Sequence, residues 1–326
     1  MIITTIKNIW VIVFTIGLLI SLSGLASVSA YDETMFYPGV DLSGRDFRGQ
    51  NLDGVILTGA NLTGVNFEGA SLRNSDLREA YLREANLKSA DLSSAFLDGT
   101  DLTRADVRDA ILHSASMIKA NLNTARLERV ILSNGFLPGS SLVKANLTDA
   151  TLDNTVFQDS DLTQAVLEGA DLTASNFGSI GIGNPSPAAT VLRGANLRGA
   201  NLSNSNLMSV DLSEANLSDA NFQNAQLSYA NLSWVNSRNA SFSGAILSWA
   251  RAYGADFYNT DFSNSIATLA QMTGANLSQA NLEGANFDYA DLTQTILTDV
   301  VIDKSGSFIN TEFNGSTNVP VEFKNK

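Results

Sequence analysis

The 326-residue sequence has no cysteine and a single histidine. The first absence excludes disulfides, thiol chemistry, thiolate metal sites and lipoprotein anchoring, and the second leaves His113 without a Cys or His partner for zinc. Charged residues are sparse, 16% against 44% hydrophobic, which is the balance of a chain that folds around a core and not of a disordered one. Basic residues are the scarcer sign: 20 Lys and Arg against 33 Asp and Glu give a net charge of −13, which disfavours nucleic acid as a partner. The Gly-Gly-x-Gly-x-Asp calcium repeat is also missing.

The first thirty residues stand apart. Lys7 is their only charge, an apolar stretch runs from Ile9 to about Leu25, and Val28-Ser29-Ala30 places small residues at −3 and −1 of a cleavage site. Residues 1–30 therefore read as a cleavable signal peptide, with an uncleaved anchor as the alternative because the stretch approaches the ~20 residues that span a bilayer. Either way the remainder lies outside the cytoplasm. No twin-arginine pair precedes the apolar run, so the route is general secretion. Losing Lys7 with no acid moves the net charge from −13 to −14. An acidic surface of that kind serves solubility or attracts a basic partner.

From Leu42 to Ile302 in steps of five, 49 of 53 positions hold Leu, Phe, Ile, Val or Met, so the period is strict; Pro187, Ser237, Ala252 and Ala267 are the exceptions. Two residues earlier Ala dominates, and Asn or Asp usually stands between, as in Ala60-Asn61-Leu62 and Ala280-Asn281-Leu282. In a helix, five residues rotate a side chain about 140° beyond a full turn, so no stripe forms. In a straight strand, an odd step alternates faces. Burial of every Leu therefore requires a corner in each pentad. Ala and Leu face the axis together, the Asn or Asp between them faces outward, and a trailing Gly, as at 44, 49 and 54, eases the corner.

The unit Ala-(Asn/Asp)-Leu-x-x resembles the pentapeptide-repeat family over roughly 260 of the 326 residues. The resemblance implies an all-β fold, a right-handed quadrilateral parallel β-helix with four pentads per coil. At that spacing Phe222, Phe242 and Phe262 stack, while Ser237, Ala252 and Ala267 sit beneath Phe257, Met272 and Phe287, which fill the volume left over. The count of pentads gives about thirteen coils at ~4.8 Å, a rod roughly 60 Å long with an interior too full for a channel or ligand.

Residues 178–191 break the motif with glycines and two prolines, predicting an extruded loop between a stack at 41–177 and another at 192–303. Residues 31–40 are expected to cap one end. At 304–326, where the phase slips by one before Phe308, Phe313 and Phe323, an irregular coil ends the other. Weak capping there would favour end-to-end homodimers.

Candidate sites are departures from the motif. Phe96, Ile111, Ile131, Phe136, Val156 and Val166 replace the usual Asn or Asp, so they place apolar side chains on or near the exterior; a half-buried shoulder favouring β-branched residues would also explain them. Tyr229, Trp249, Leu269 and Tyr289 form an outward column, read as inter-coil stacking or as a binding stripe. His113, with Ser93, Ser133 and Asp153 in its column, lacks a pocket and an oxyanion hole and reads as a surface histidine. No catalytic, metal or cofactor residue is expected.

These readings describe a non-enzymatic exported scaffold or protein-interaction module of the periplasm or thylakoid lumen, or a secreted one. Its expected partner is a protein, with no nucleic acid and no membrane span after signal cleavage. One alternative, implied by relatives that resemble duplex DNA, is an acidic mimic that binds topoisomerases. The signal peptide and the interleaving of acids with Arg73, Arg78, Arg83 and Lys88 oppose it. Another is glycan or surface binding through the aromatic column.

Overall fold

The computed structural model describes residues 38–178 and 189–321, all within the unit Phe36–Lys326. The predicted signal peptide, most of the cap at 31–40 and the end from residue 322 lie outside the described residues. Each pentad performs the same geometry. Ala60 and Leu62 are buried, Asn61 between them forms a β-bridge, and Thr63 and Gly64 turn the chain. Bridged residues are parallel and twenty apart: Asp41 with Asn61, Asp46 with Asn66, Asn51 with Ser71, and Ile56 with Asp76. These pairs begin four ladders, numbered first to fourth in that order. The backbone is satisfied from both sides, since the Asn61 N–H donates to Val40 O at 2.8 Å and the Leu62 N–H to Tyr81 O at 2.8 Å.

The corner explains the preference for Asn and Asp at the bridge. Their side-chain oxygen accepts the N–H two residues on, as from Ser43 to Asp41 Oδ1 at 3.0 Å and from Thr63 to Asn61 Oδ1 at 3.2 Å, which fixes the turn locally. The second corner residue adopts the left-handed conformation. Gly54 does so freely at φ 70°, and Asn74 is held there at φ 54°.

Buried side chains fill the interior as expected. Phe222 stacks on Phe242 with centroids 4.7 Å apart, and Phe242 on Phe262 at 5.2 Å. Phe257, one coil on from Ser237, meets Phe242 and Phe262 edge-on at 6.1 and 5.1 Å; Phe287, one coil on from Ala267, does the same to Phe262 at 6.1 Å. Where Ser or Thr replaces the inward Ala, the hydroxyl often bonds a carbonyl, as Ser160 Oγ does to Leu137 O at 2.7 Å.

The loop predicted at 178–191 falls largely on residues 179–188, which lie outside the described residues. Its flanks are informative. Asp161, Val166, Asp171 and Asn176 bridge Val191, Asn196, Asn201 and Asn206, each thirty residues on, so all four ladders run continuously from one predicted stack into the other. Thr190 seals the junction by donating to Phe177 O at 2.6 Å and Phe157 O at 2.9 Å.

The slip before Phe308 is a one-residue bulge. Asn281 bridges Val301 at the usual spacing, but Asn286 bridges Ser307, twenty-one residues on. Asp303 absorbs the extra residue: its Oδ1 accepts the N–H groups of Gly284, Ser305 and Gly306 at 3.0, 3.1 and 3.2 Å, and its Oδ2 accepts the Ser305 hydroxyl at 2.5 Å. The carboxyl is held below the usual range first by the Ser305 hydroxyl and next by the Gly284 N–H. Because the folded value lies below the unfolded one, its stabilisation is present above the unfolded pKa and disappears as pH falls through the folded value. Asp303→Asn is expected to remove this pH dependence, and Asp303→Ala to speed hydrogen exchange at Gly284, Ser305 and Gly306 while coils before 280 keep their protection. Unchanged exchange at those amides would show that the carboxylate does not hold the bulge.

Candidate functional site

With the interior occupied, the positions open to a partner along the coils are the outward ones: the bridge residue and the two corner residues of each pentad. The arginines on these positions are mostly paired. Among the described residues, eleven of thirteen arginines lie within 3.6 Å of a carboxylate, and Arg45 and Arg251 are the two without one. Three are two-pronged within one corner, as where Arg108 Nε and Nη2 donate to Asp106 at 2.7 and 2.5 Å. The Arg108 guanidinium holds the Asp106 carboxyl below its ordinary value against the opposing effect of burial. Such exposed pairs contribute little to stability, because solvent screens them.

The six apolar bridge residues are divided among three ladders. Phe96, Phe136 and Val156 stand on the fourth, Ile111 and Ile131 on the third, and Val166 alone on the second between Asn146 and Asn196. The first four residues of the sequence group, Phe96, Ile111, Ile131 and Phe136, are exposed, whereas Val156 and Val166 are half-buried. None can accept the corner N–H that Asn or Asp accepts. Pro138, two residues after Phe136, has no N–H to offer.

Tyr229, Trp249, Leu269 and Tyr289 form a column on the corner that follows the fourth ladder. The Tyr229 and Trp249 rings stack with centroids 6.2 Å apart and 9° from parallel, and both stay exposed. Leu269 is half-buried, and Tyr289 is 55% exposed. Ile246 and Ile266 lie on the fourth ladder beside the column. The ladder thus links this group to Phe96, Phe136 and Val156 through Asn176, Asn206 and Gln226. Between Asn206 and Leu269 the twelve outward residues on this side include no charge.

The pattern of pentapeptide repeats matches the chain in eight copies, over residues 39–69, 66–104, 97–134, 140–178, 188–224, 205–236, 230–266 and 268–301. The chain belongs to the pentapeptide repeat family. Its repeats are similar to HetL, a pentapeptide repeat protein involved in heterocyst differentiation regulation from the cyanobacterium Nostoc, at 28% identity over 82% of this chain and 89% of that one, with a TM-score of 0.32. A pentapeptide repeat protein of the Arabidopsis thaliana thylakoid lumen is 28% identical over 38% of this chain and 68% of its own, with a TM-score of 0.25. QnrB1, a plasmid-mediated fluoroquinolone resistance protein, is 16% identical over 64% and 89%, with a TM-score of 0.34. None superposes closely enough to say what this member does. No curated protein matches it.

His113 is exposed in its pentapeptide column, but its neighbours are committed elsewhere. Ser93 Oγ donates to Asp91 at 2.6 Å, and Ser133 donates to Asp153. Among the described residues no group of His, Asp and Glu could hold a metal ion, and no helix is long and apolar enough to cross a membrane.

The residues that sequence reasoning passed over are Ile246, Ile266, Trp234, Arg251 and Tyr253. A signal for the last three was present: no acid occurs between Asp219 and Asp256, and both tryptophans outside the first thirty residues fall in that interval.

All four column residues occupy the left-handed corner position, with φ of 63° at Tyr229, 62° at Trp249, 60° at Leu269 and 58° at Tyr289. Bulky side chains disfavour that conformation by about 1–2 kcal/mol, and Gly would relieve it. Tyr289→Gly is expected to leave stability unchanged or raise it by up to about 1 kcal/mol after the added freedom of the unfolded chain is subtracted. A clear loss in denaturant titration would show that the ring is held by packing.

Proposed function

We propose that this protein is a non-enzymatic, exported β-helical interaction scaffold that uses the fourth ladder and its corner as the contact surface. The observation that carries the reading is the gathering of exposed apolar and aromatic side chains along one ladder, at positions where the repeat's own chemistry favours Asn, Asp or Gly. Export is supported by the pattern of residues 1–30, with the periplasm, thylakoid lumen or external medium as the destination. The parallel bridges at a spacing of twenty support a coil of four pentads, and its right-handedness rests on the family resemblance.

An acidic DNA mimic is a poorer account, because guanidinium groups interrupt the negative field along every ladder on which they pair with carboxylates. Sugar stacking on the column remains the second reading, because Tyr229, Trp249 and Tyr289 are all exposed and the Tyr229–Trp249 contact covers only one face of each ring.

Fractionation of source cells followed by crosslinking tests the proposal. The protein should leave the cytoplasmic fraction and cross-link to a defined partner. Trp249→Ser combined with Tyr289→Ser should abolish that partner's recovery with the fold intact, since Ser occupies the same corner position at Ser94, Ser114 and Ser209. Cytoplasmic retention would sink export; full recovery with the double variant would move the contact surface elsewhere.

A further inference from the structure

Arg251 lies on the first ladder between Asn231 and Gln271, exposed and without a carboxylate partner. Four aromatic residues stand on the two corners that flank its ladder. Trp249, two residues earlier, carries Tyr229 stacked on it at the corner shared with the fourth ladder. Tyr253, two residues later, donates its hydroxyl to the Gln271 side-chain oxygen on the next rung. Trp234, 67% exposed, lies over Gly254, where any Cβ would overlap its ring. Both tryptophans are in the left-handed conformation, at φ 63° and 62°, so bulky rings stand at the two corners that flank the Arg251 ladder.

The electrostatics are equally local. In a chain of net charge −13 the interval from residue 220 to 255 holds no acid and only Arg238 and Arg251 as bases, and Arg238 is already paired with Asp256 at 2.6 Å. The nearest acids on Arg251's own ladder, Asp211 and Asp291, are two rungs away, about 10 Å. An unpaired guanidinium framed by Trp and Tyr has the composition of a protein-binding hot spot, in which surrounding rings exclude water from a central charged contact.

We infer that Arg251, framed by Trp234, Trp249, Tyr229 and Tyr253, receives a protein segment that brings one carboxylate into an apolar contact. A polyanion fits poorly, because the net negative charge of the chain repels an extended anionic surface while the patch supplies one cation. The inference rests on the proposed interaction role and specifies where and with what chemistry it is exercised.

A displayed library of random twelve-residue peptides panned against the full chain tests it. Enriched peptides should carry Asp or Glu among Trp, Phe and Leu. Arg251→Gln, which places on this rung the side chain already found at Gln271, should weaken the best peptide at least tenfold. Arg251→Glu should prefer that peptide with its acid changed to Lys, and Trp234→Ser should weaken it while circular dichroism remains unchanged. Enriched peptides without acids, or binding indifferent to Arg251→Gln, would overturn the assignment. Arg251-dependent binding of phosphatidylglycerol vesicles or polygalacturonate in place of peptides would overturn it in favour of a lipid or glycan. No binding to any of these probes also counts against it. Peptide binding that depends on Tyr289 or Phe136 but not Arg251 would sink this inference and leave the broader reading standing; absence of any cross-linked partner in cells would sink the broader one.

Discussion

Every coil hydrogen-bonds to the next in a register that cannot drift. The Leu N–H of one pentad reaches the bridge carbonyl of another, and a slip by one residue would turn each inward Leu outward and each Asn inward. Irregularities must therefore be absorbed in whole units or at a place built to absorb them. The stretch over 179–188 is ten residues, two pentads, and the ladders resume with Val191 as though it were the next bridge residue after Asn176. The slip after Val301 is not a multiple of five, and there Asp303 supplies with its side chain the acceptor that the Gly284 N–H would otherwise lose.

The same register makes the exterior legible as a set of choices. Asn or Asp at the bridge closes the corner, and Gly or Asn in the left-handed position does so with least strain. Phe at 96 and 136 gives up the corner bond, and Tyr or Trp at 229, 234 and 249 accepts conformational cost. Neither substitution improves the core, since these side chains project from it. Residues that give up a corner bond or set a bulky ring at a left-handed corner without adding to the core direct attention to what they meet outside it.

Much of this was open to sequence reasoning, for a definite reason. The corner in each pentad follows from period five alone, and the stack of Phe222, Phe242 and Phe262 follows once the spacing is twenty. Grouping across the loop does not follow, because Val156 continues through Asn176 to Asn206, thirty residues on, and linear spacing places the wrong residues beneath it. The frame of Arg251 was hidden differently. Trp234 and Trp249 are fifteen residues apart, one pentad short of a column, so they occupy neighbouring corners on successive coils. That a guanidinium lacks a partner is a property of distances, not of the sequence around it. The predicted export signal lies outside the described residues, and its reading rests on composition.

Long-range and short-range electrostatics point to different features of the same partner. Beyond a Debye length of about 8–10 Å the chain presents little except its net negative charge, so approach favours a protein that is basic or neutral overall. At contact distance Arg251 has no carboxylate of its own chain among the described residues, so its guanidinium is open to one from a partner. A partner selected by both would be weakly basic as a whole and carry an acid at the point of contact. A uniformly basic ligand would gain in approach and lose at Arg251, and a uniformly acidic one the reverse. A neutral, aromatic window holding a single cation thus discriminates by charge arrangement in a way that neither the net charge nor the apolar area could do alone.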